Sequence, residues 1–342
     1  MTSVGQKLVT MLLWAIVSVV VSCVLGGLGS HTDLLGGGHA RTVAACAVPP
    51  GKIDVRLRDV GGLAAIKEEL YYALLLPLRH PAVFFGGGGP LASTRGLLLT
   101  GPPGCGKTML MRAVARECGC TFLCPQLSQL MSKYYGESQK MLAAVFDVAR
   151  RSAPCIVFLD EIDAAFRTRD AEDAGADYAF KTEFLQLLDG VGTDRGSAVV
   201  VVGATNCPDK LDPALKRRLP NVLRVGLPDA AERRHIVTLQ CRRERAPAEC
   251  MAQFDEALDA AATDGLSGSD LAELYRASSR LRLREALRPG VDVERVARAL
   301  PPLRAEHWRA AREAMRTAQR SVAEDHCDAG RAERLLRRLQ RA

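Results

Sequence analysis

Gly101-Pro102-Pro103-Gly104-Cys105-Gly106-Lys107-Thr108 is the stretch that decides the fold of this chain. It follows the apolar run Leu97-Leu98-Leu99, and residues 109–115 after it have helical character. A strand, a G-x-x-x-x-G-K-[ST] loop and a helix in this order form a phosphate-binding loop. The backbone N–H groups of such a loop surround an anion, while Lys107 can reach the β- and γ-phosphates and the Thr108 hydroxyl can ligate Mg²⁺. We therefore expect ATP and Mg²⁺ to bind here.

Apolar runs that alternate with helical patterns predict a parallel sheet, and hence an α/β fold. The predicted strands are residues 96–100, 121–124, 156–159, 198–203 and 222–225. Their nearly continuous apolar character fits strands that are buried on both faces. Since ligands of such sheets bind at the carboxyl ends of the strands, functional side chains are expected where these runs end.

Polar side chains follow two of the predicted strands. Asp160 and Glu161 come directly after one of them, and Asn206 closes the Ala204-Thr205-Asn206 segment after the next. Asp160 is placed to hold Mg²⁺ through water, and Glu161 can polarise the attacking water as a general base. Asn206 can hydrogen-bond both that water and the γ-phosphate. Each alone could be an ordinary turn residue, but their position after a phosphate-binding loop favours the functional interpretation.

Two adjacent arginines, Arg217 and Arg218, precede the last predicted strand. Adjacent arginines usually form a solvated face, but these follow a segment where a helix would end and could reach a phosphate held by another subunit. These arginines belong to residues 52–226, which are predicted to form the large α/β part. Residues 227–342 are helical in pattern and rich in Ala, Leu and Arg, which predicts a small helical domain with a C-terminal helix.

The amino-terminal region predicts a membrane anchor. After a short tail, residues 1–7, residues 8–28 carry no charged side chain and are long enough to span a bilayer as one helix. A cleaved signal peptide is the main alternative, but the run exceeds a usual h-region and no clear small-x-small site follows it directly. Residues 29–51 contain Gly and Pro and predict a flexible linker.

The composition indicates a globular protein with a sizeable core. Of the 342 residues, 48% are hydrophobic and 25% are charged, and the net charge of +7 is modest for this length. A nucleic-acid partner is therefore not expected. The chain has eleven cysteines. Cys118, Cys120 and Cys124 cluster, but no second Cys or His pair has zinc spacing, which favours reduced structural cysteines.

These segments together resemble the AAA ATPases, in the group that includes katanin and spastin. The resemblance rests on the motifs above, on Asp59-Val60-Gly61-Gly62-Leu63 and on Gly265-Leu266-Ser267-Gly268-Ser269-Asp270-Leu271. Lys133-Tyr134-Tyr135-Gly136-Glu137-Ser138 and the predicted anchor are most similar to one subfamily. That subfamily comprises the membrane-anchored AAA translocases of the mitochondrial outer membrane and peroxisomes, which extract mislocalised tail-anchored proteins.

The resemblance implies an AAA P-loop ATPase domain with a parallel sheet, followed by a small all-helical lid domain and preceded by one transmembrane helix. It implies catalytic roles for Glu161, Asn206, Arg217 and Arg218, and Mg²⁺ coordination by Thr108 and Asp160. Nucleotide contacts are implied for Gly61, Gly62, Pro103, Gly104, Cys105, Gly106, Lys107, Thr108, Met109, Asp160 and Gly268.

The resemblance also implies a homo-hexamer whose central pore grips a polypeptide through Tyr134 and Tyr135. A single-pass anchor would hold it in the mitochondrial outer membrane or the peroxisome, with the AAA domain in the cytosol. Large rigid rings beside Gly136 would offer sequence-tolerant contact. The chain departs from the subfamily by having Tyr134 where Trp is usual and by lacking His in residues 171–178. These differences bear on substrate preference.

Three functions remain open from the sequence. The first is an ATP-driven motor that extracts membrane proteins, which the predicted anchor favours. The second is a severing or disassembly ATPase of the katanin and spastin kind, although no polymer-binding domain is recognisable. The third is a nucleotide-binding membrane scaffold without turnover, which would have no need of Glu161, Asn206 or the two arginines.

Overall fold

The computed structural model describes residues 38–85, 95–131, 137–166, 176–193, 197–244, 249–287, 296 and 301–319. The strands of this part are β1 (Ala47–Val48), β2 (Gly96–Thr100), β3 (Thr121–Leu123), β4 (Cys155–Leu159), β5 (Val199–Thr205) and β6 (Asn221–Arg224). The helices are α1 (Gly38–Ala44), α2 (Ala64–Leu70), α3 (Leu76–Arg79), α4 (Pro81–Phe84), α5 (Lys107–Cys118), α6 (Leu127–Leu130), α7 (Glu137–Arg151), α8 (Ala176–Thr193), α9 (Pro213–Arg218), α10 (Ala230–Arg243), α11 (Glu249–Ala257), α12 (Gly268–Ala286) and α13 (residues 305–319). One π-helical turn, Tyr71–Leu75, joins α2 to α3.

The strands described form a single sheet in the order β1-β3-β4-β5-β2-β6. β1 pairs antiparallel with β3, and every other pairing is parallel. β2, β4 and β5 are buried along their whole length, as expected for strands covered by helices on both faces. The predicted α/β fold with a parallel sheet is confirmed. β2 lies between β5 and β6, so the loop that follows it opens at the carboxyl edge of the sheet with a parallel strand on each side.

Side chains alternate across the sheet into two apolar layers, because successive residues of a strand point to opposite faces. On one face, Val157 and Val201 pack with Phe146 of α7 and with α8. On the other face, Ile156 and Val202 pack with α5 and with the helices that precede β2. The second layer fixes α5 against the sheet, which sets the position of the loop before it.

Part of the predicted flexible linker, residues 29–51, is folded. α1 packs along α7, where His39 Nε2 lies 2.9 Å from Glu137 Oε2, and Val43 of α1 is buried. β1 adds a strand to the edge of the sheet at β3. The prediction of a flexible linker is therefore wrong for residues 38–51, because this short apolar segment covers a helix face and an exposed strand edge.

The helices after the sheet form a layer with a core of its own. α10, α11, α12 and α13 surround Trp308, which is fully buried. Its ring centroid lies 5.0 Å from that of Phe254 and 5.9 Å from that of Tyr275. The sheet domain is thus followed by a helical domain, as expected. Arg233 is buried in this helical domain. It donates to the carbonyl oxygens of Pro228 and Ala260 and so fixes the chain at both of these positions.

Two predicted segments lie outside the described residues. One is the transmembrane helix, residues 8–28, and the other contains the predicted pore-loop tyrosines, Tyr134 and Tyr135. Within the ranges given above, no helix is both long enough and apolar enough to cross a membrane.

Candidate active site

The loop between β2 and α5 has the backbone geometry of a phosphate cradle. Gly104 and Gly106 have φ values of +78° and +83°, a left-handed conformation that glycine adopts without steric cost. α5 begins at Lys107, so its first N–H groups have no partner within the helix and point toward this loop. Backbone donors and the positive end of the α5 dipole therefore meet at the carboxyl end of a central strand.

The Lys107 side chain lies inside this loop, and only 7% of the residue is exposed. Its Nζ donates to the carbonyl oxygens of Gly101 (2.8 Å) and Pro102 (2.9 Å) and to Oδ1 of Asn206 (2.7 Å). Burial lowers the pKa of Lys107, and nearby acidic groups oppose that shift. The end of β5 and the start of α5 are thus joined by a charged hydrogen bond at the place where a γ-phosphate would approach.

Thr108 and Asp160 supply oxygen atoms suited to Mg²⁺. Thr108 Oγ1 donates to Asp160 Oδ2 at 2.6 Å, and the Glu161 N–H donates to Asp160 Oδ1 at 3.0 Å. Hydroxyl and carboxylate oxygens are hard ligands, the type that Mg²⁺ binds. The residues present therefore fit this ion, with one ligand at the start of α5 and the other directly after β4.

Glu161 has a backbone conformation that is rare outside glycine. Its φ and ψ are 50° and 42°, in the left-handed region. Such a conformation costs about 1–3 kcal/mol and is found mostly at functional sites. Glu161 is exposed, whereas Ile162 and Asp163 after it are buried. The strained turn therefore leaves a carboxylate accessible to solvent beside the Thr108–Asp160 pair.

A buried hydrogen bond joins the turn after β4 to the end of β5. Thr205 Oγ1 donates to Asp163 Oδ1 at 2.7 Å and accepts from the Cys207 N–H at 2.9 Å. Thr205 is fully buried, and Asp163 is 7% exposed. The bond fixes the spacing between Glu161 and Asn206, which lie on the two turns it connects. Asp163 is not among the residues predicted from the sequence, although a further carboxylate two positions after Glu161 was a visible signal.

The helical domain contacts the same loop through the start of α12. The Ser269 N–H donates to the Gly104 carbonyl at 3.0 Å. A Cβ on Gly104 would lie 2.5 Å from Ser267 Oγ, and one on Gly268 would lie 3.3 Å from the Gly104 carbonyl oxygen. Ser267 caps α12 in a capping box with Asp270. Glycine at both contact positions therefore allows the two backbones to approach.

The Gly61-Gly62 turn is held against α10. A Cβ on Gly61 would lie 2.6 Å from Ile236 Cγ1, and Gly62 has a φ of +66°. The Leu63 N–H donates to Glu232 Oε1 at 2.5 Å. Close backbone approach and a left-handed conformation require glycine at these two positions. The turn ties the start of the sheet domain to the helical domain.

Known proteins with related sequences include enzymes of one family. The model of the ATPase family associated with various cellular activities (AAA) matches residues 97–227. The outer mitochondrial transmembrane helix translocase of Xenopus tropicalis is 39% identical over 249 residues, which cover 73% of this chain and 68% of that protein. The chain belongs to the AAA ATPase family. The translocase of the same name from Danio rerio is 42% identical over 256 residues, 73% of this chain, and the chain spans 64% of its length.

Solved AAA ATPase domains have the same fold as this chain. The FIGL-1 AAA domain superposes with a TM-score of 0.68 at 31% identity, covering 83% of this chain and 92% of that chain. A katanin structure, described as the structural basis for its self-assembly, gives a TM-score of 0.64 at 30% identity and covers 81% of this chain and 91% of that chain.

The two arginines of this AAA ATPase differ in their surroundings. Arg218 makes a bidentate ion pair with Asp189 of α8, at 2.8 Å and 2.7 Å, which raises the pKa of Arg218. Arg217 is exposed and has no hydrogen bond or ion pair to any residue that the structure describes. Neither arginine bonds to the Gly101–Thr108 loop of its own chain within the described part. This placement leaves Arg217 free to contact another molecule.

Apart from Glu161 and the two arginines, the predicted site residues of the AAA ATPase fall into three groups. Lys107, Thr108, Asp160 and Asn206 meet through direct hydrogen bonds. The residues predicted to contact nucleotide lie in the phosphate-binding loop or at the contacts between the two domains. In this loop Cys105 is buried and Pro103 is exposed. Met109, in the first turn of α5, packs partly against the core. The pore-loop tyrosines and residues 171–175 lie outside the described part of the chain.

Proposed function

We propose that this chain is a membrane-anchored AAA ATPase that uses ATP hydrolysis to extract mislocalised, tail-anchored membrane proteins through the pore of a homo-hexamer. The observation that carries the proposal is the pair of contacts from Lys107 to Asn206 and from Thr108 to Asp160, which join the side chains expected to act on the phosphates and on Mg²⁺. The relatives named as outer mitochondrial transmembrane helix translocases support the substrate class.

The proposed hydrolytic step uses five side chains. Bound Mg²⁺ would neutralise charge on the phosphate oxygens, and Thr108 and Asp160 would hold it. Lys107 stabilises the β- and γ-phosphates, and Asn206 orients the attacking water and the γ-phosphate by hydrogen bonds. Glu161, exposed beside them, accepts the proton of that water as general base.

A second subunit completes the site in this proposal. Arg217 is unpaired within the described part of its chain, so it can reach a γ-phosphate bound to a neighbour. Arg218 is held on Asp189 and orients the turn that carries Arg217. An assembly in which each chain supplies arginines to the next is head-to-tail, and in the proposed hexamer this arrangement closes into a ring of six.

The membrane role rests on the sequence outside the described residues. Residues 8–28 would anchor the chain, and Tyr134 and Tyr135 would grip the substrate polypeptide in the pore. The names of the relatives support the mitochondrial outer membrane as the location. The ATPase domain would lie in the cytosol, where it has access to ATP. Peroxisomes are the second proposed location.

The test is reconstitution of the full chain in liposomes with a tail-anchored substrate. We expect ATP-dependent release of the substrate by the wild type and none by Glu161→Gln. Tyr134→Ala should hydrolyse ATP at close to the wild-type rate but release nothing. A wild-type protein that hydrolyses ATP and severs microtubules without releasing substrate would support the katanin-like alternative. Absence of turnover would support the scaffold.

A further inference from the structure

Two cysteines of the helical domain face each other between α10 and α11. Cys241 lies near the end of α10 and Cys250 in the first turn of α11. Both are buried, with 5% and 3% of the residue exposed, and their Sγ atoms are 2.9 Å apart. The Sγ–Sγ bond of a disulfide is about 2.05 Å, so the two sulfur atoms need to approach by only roughly 0.9 Å.

We propose that Cys241 and Cys250 form an oxidative modification site at which hydrogen peroxide converts the dithiol into an intramolecular disulfide. The site involves none of the residues that bind nucleotide, and the proposal does not depend on the proposed function. It departs from the sequence analysis, which expected the cysteines to be structural only.

The surroundings make Cys250 the nucleophile of the pair. The hydrogen bond between the two sulfur atoms lowers the pKa of Cys250, while burial acts in the opposite direction and the nearby charge of Arg282 lowers it further. The same bond and burial raise the pKa of Cys241. Within the described part of the chain, Arg282 Nε is buried without a hydrogen-bond partner. A thiolate at Cys250 would meet this unsatisfied positive group.

The reaction balances with one peroxide per disulfide. The Cys250 thiolate attacks one oxygen of hydrogen peroxide, the O–O bond breaks, and Cys250 becomes a sulfenic acid while the leaving hydroxide takes a proton to form water. The Cys241 sulfur then attacks the sulfenic sulfur, the S–S bond forms, and a second water leaves with the Cys241 proton. The two cysteines lose two hydrogens, and the peroxide is reduced to two waters.

Burial selects the oxidant and the product. Hydrogen peroxide is little larger than water, whereas glutathione disulfide is too large to reach sulfur atoms this buried unless the helices separate. The second thiol is already in contact, so it consumes the sulfenic acid before another thiol can. The disulfide would tie α11 to α10, the helix whose Glu232 and Ile236 contact the Gly61-Gly62 turn.

The experiment treats the full chain in detergent with hydrogen peroxide, alkylates the remaining thiols after unfolding, and maps the peptides by mass spectrometry. We expect a cross-linked peptide pair joining Cys241 to Cys250, reversed by dithiothreitol and without glutathione adducts when glutathione disulfide is added. Cys155 is the internal control. It is fully buried, burial raises its pKa to about 12, and it should remain a free thiol.

Two variants separate the roles of the pair. In Cys241→Ser, we expect Cys250 to be oxidised but not cross-linked. In Cys250→Ser, we expect Cys241 to remain a free thiol. Should either variant fail to fold, the wild-type map alone decides. Free thiols at both positions, under a peroxide dose that oxidises the urea-unfolded chain, would overturn the proposal. So would separate oxidation of the two cysteines without a cross-link.

Discussion

Replacing Thr205 by Val tests whether the buried hydrogen bond to Asp163 positions the catalytic groups. The substitution keeps the shape of the side chain and removes the hydroxyl that donates to Asp163 Oδ1 at 2.7 Å. It also removes the acceptor of the Cys207 N–H at 2.9 Å. The end of β5 and the turn after β4 lose their shared contact, while Lys107, Asn206 and the sheet remain in place.

The expected magnitude follows from the two lost bonds. A hydrogen bond to a charged group contributes about 1.5–3 kcal/mol, and a neutral one contributes about 0.5–1.5 kcal/mol. We therefore expect Thr205→Val to lower the free energy of unfolding by roughly 2–4 kcal/mol. If about 1.4 kcal/mol of this loss falls on the transition state through misplacement of Glu161 and Asn206, kcat drops about tenfold. The KM for ATP should change little, because the loop that binds the phosphates is intact.

The assay combines steady-state ATP hydrolysis with thermal unfolding. Thr205→Ser keeps the hydroxyl and should recover most of kcat, whereas a purely structural role would leave kcat unchanged in both variants below the unfolding temperature. Ser278→Ala is the matched control, since it removes another fully buried hydroxyl, bonded to the Leu274 carbonyl at 2.8 Å, far along α12. Wild-type kcat in Thr205→Val, with the protein folded, would refute the reasoning.

The remaining predictions concern the nucleotide and its neighbour. Glu161→Gln should bind ATP and Mg²⁺ normally, by a fluorescent-nucleotide titration, but lose hydrolysis by at least about a hundredfold, since the amide keeps the shape and loses the base. Lys107→Ala should instead weaken nucleotide affinity itself, because a buried cation that contacts phosphate is removed. Arg217→Ala and Arg218→Ala should each bind ATP but hydrolyse it poorly. Mixing either variant with the Lys107→Ala protein should partly restore turnover, and mixed oligomers without any restored turnover would contradict a role in trans.

The sequence predicted those parts of the molecule that local patterns determine. The strand, loop and helix around Lys107 follow from one contiguous motif. Asp160 and Asn206 could be placed at strand ends because each follows an apolar run that ends shortly before it. The contact between Lys107 and Asn206 depends on strand order, since β5 is the neighbour of β2 although β3 and β4 come between them in the chain. The rule that ligands collect at the carboxyl ends of strands predicted that both side chains lie at this edge of the sheet, but not that they contact each other.

Other features could not be predicted because they depend on partners distant in sequence. Residues 38–51 look like a linker in composition, and only the exposed edge of β3 and the face of α7 give them a place to pack. The role of Asp163 depends on Thr205, 42 positions later in the chain. Adjacent arginines are equivalent in the sequence, and Arg218 differs from Arg217 only because α8 brings Asp189 to it.

The contacts between the two domains explain how nucleotide could change their relative position. The described hydrogen bonds across this boundary include Ser269 N–H to the Gly104 carbonyl and Leu63 N–H to Glu232. Each contributes about 0.5–3 kcal/mol, so separating the domains here costs a few kcal/mol. A micromolar ligand binds with about 8 kcal/mol, so a ligand that touches both sides can supply that energy. Gly104 belongs to the phosphate-binding loop itself. The contact with the helical domain and the expected contact with phosphate therefore share one backbone segment. A change in the phosphates would therefore reach α12 through the bond from the Ser269 N–H to the Gly104 carbonyl, without an intermediate side chain.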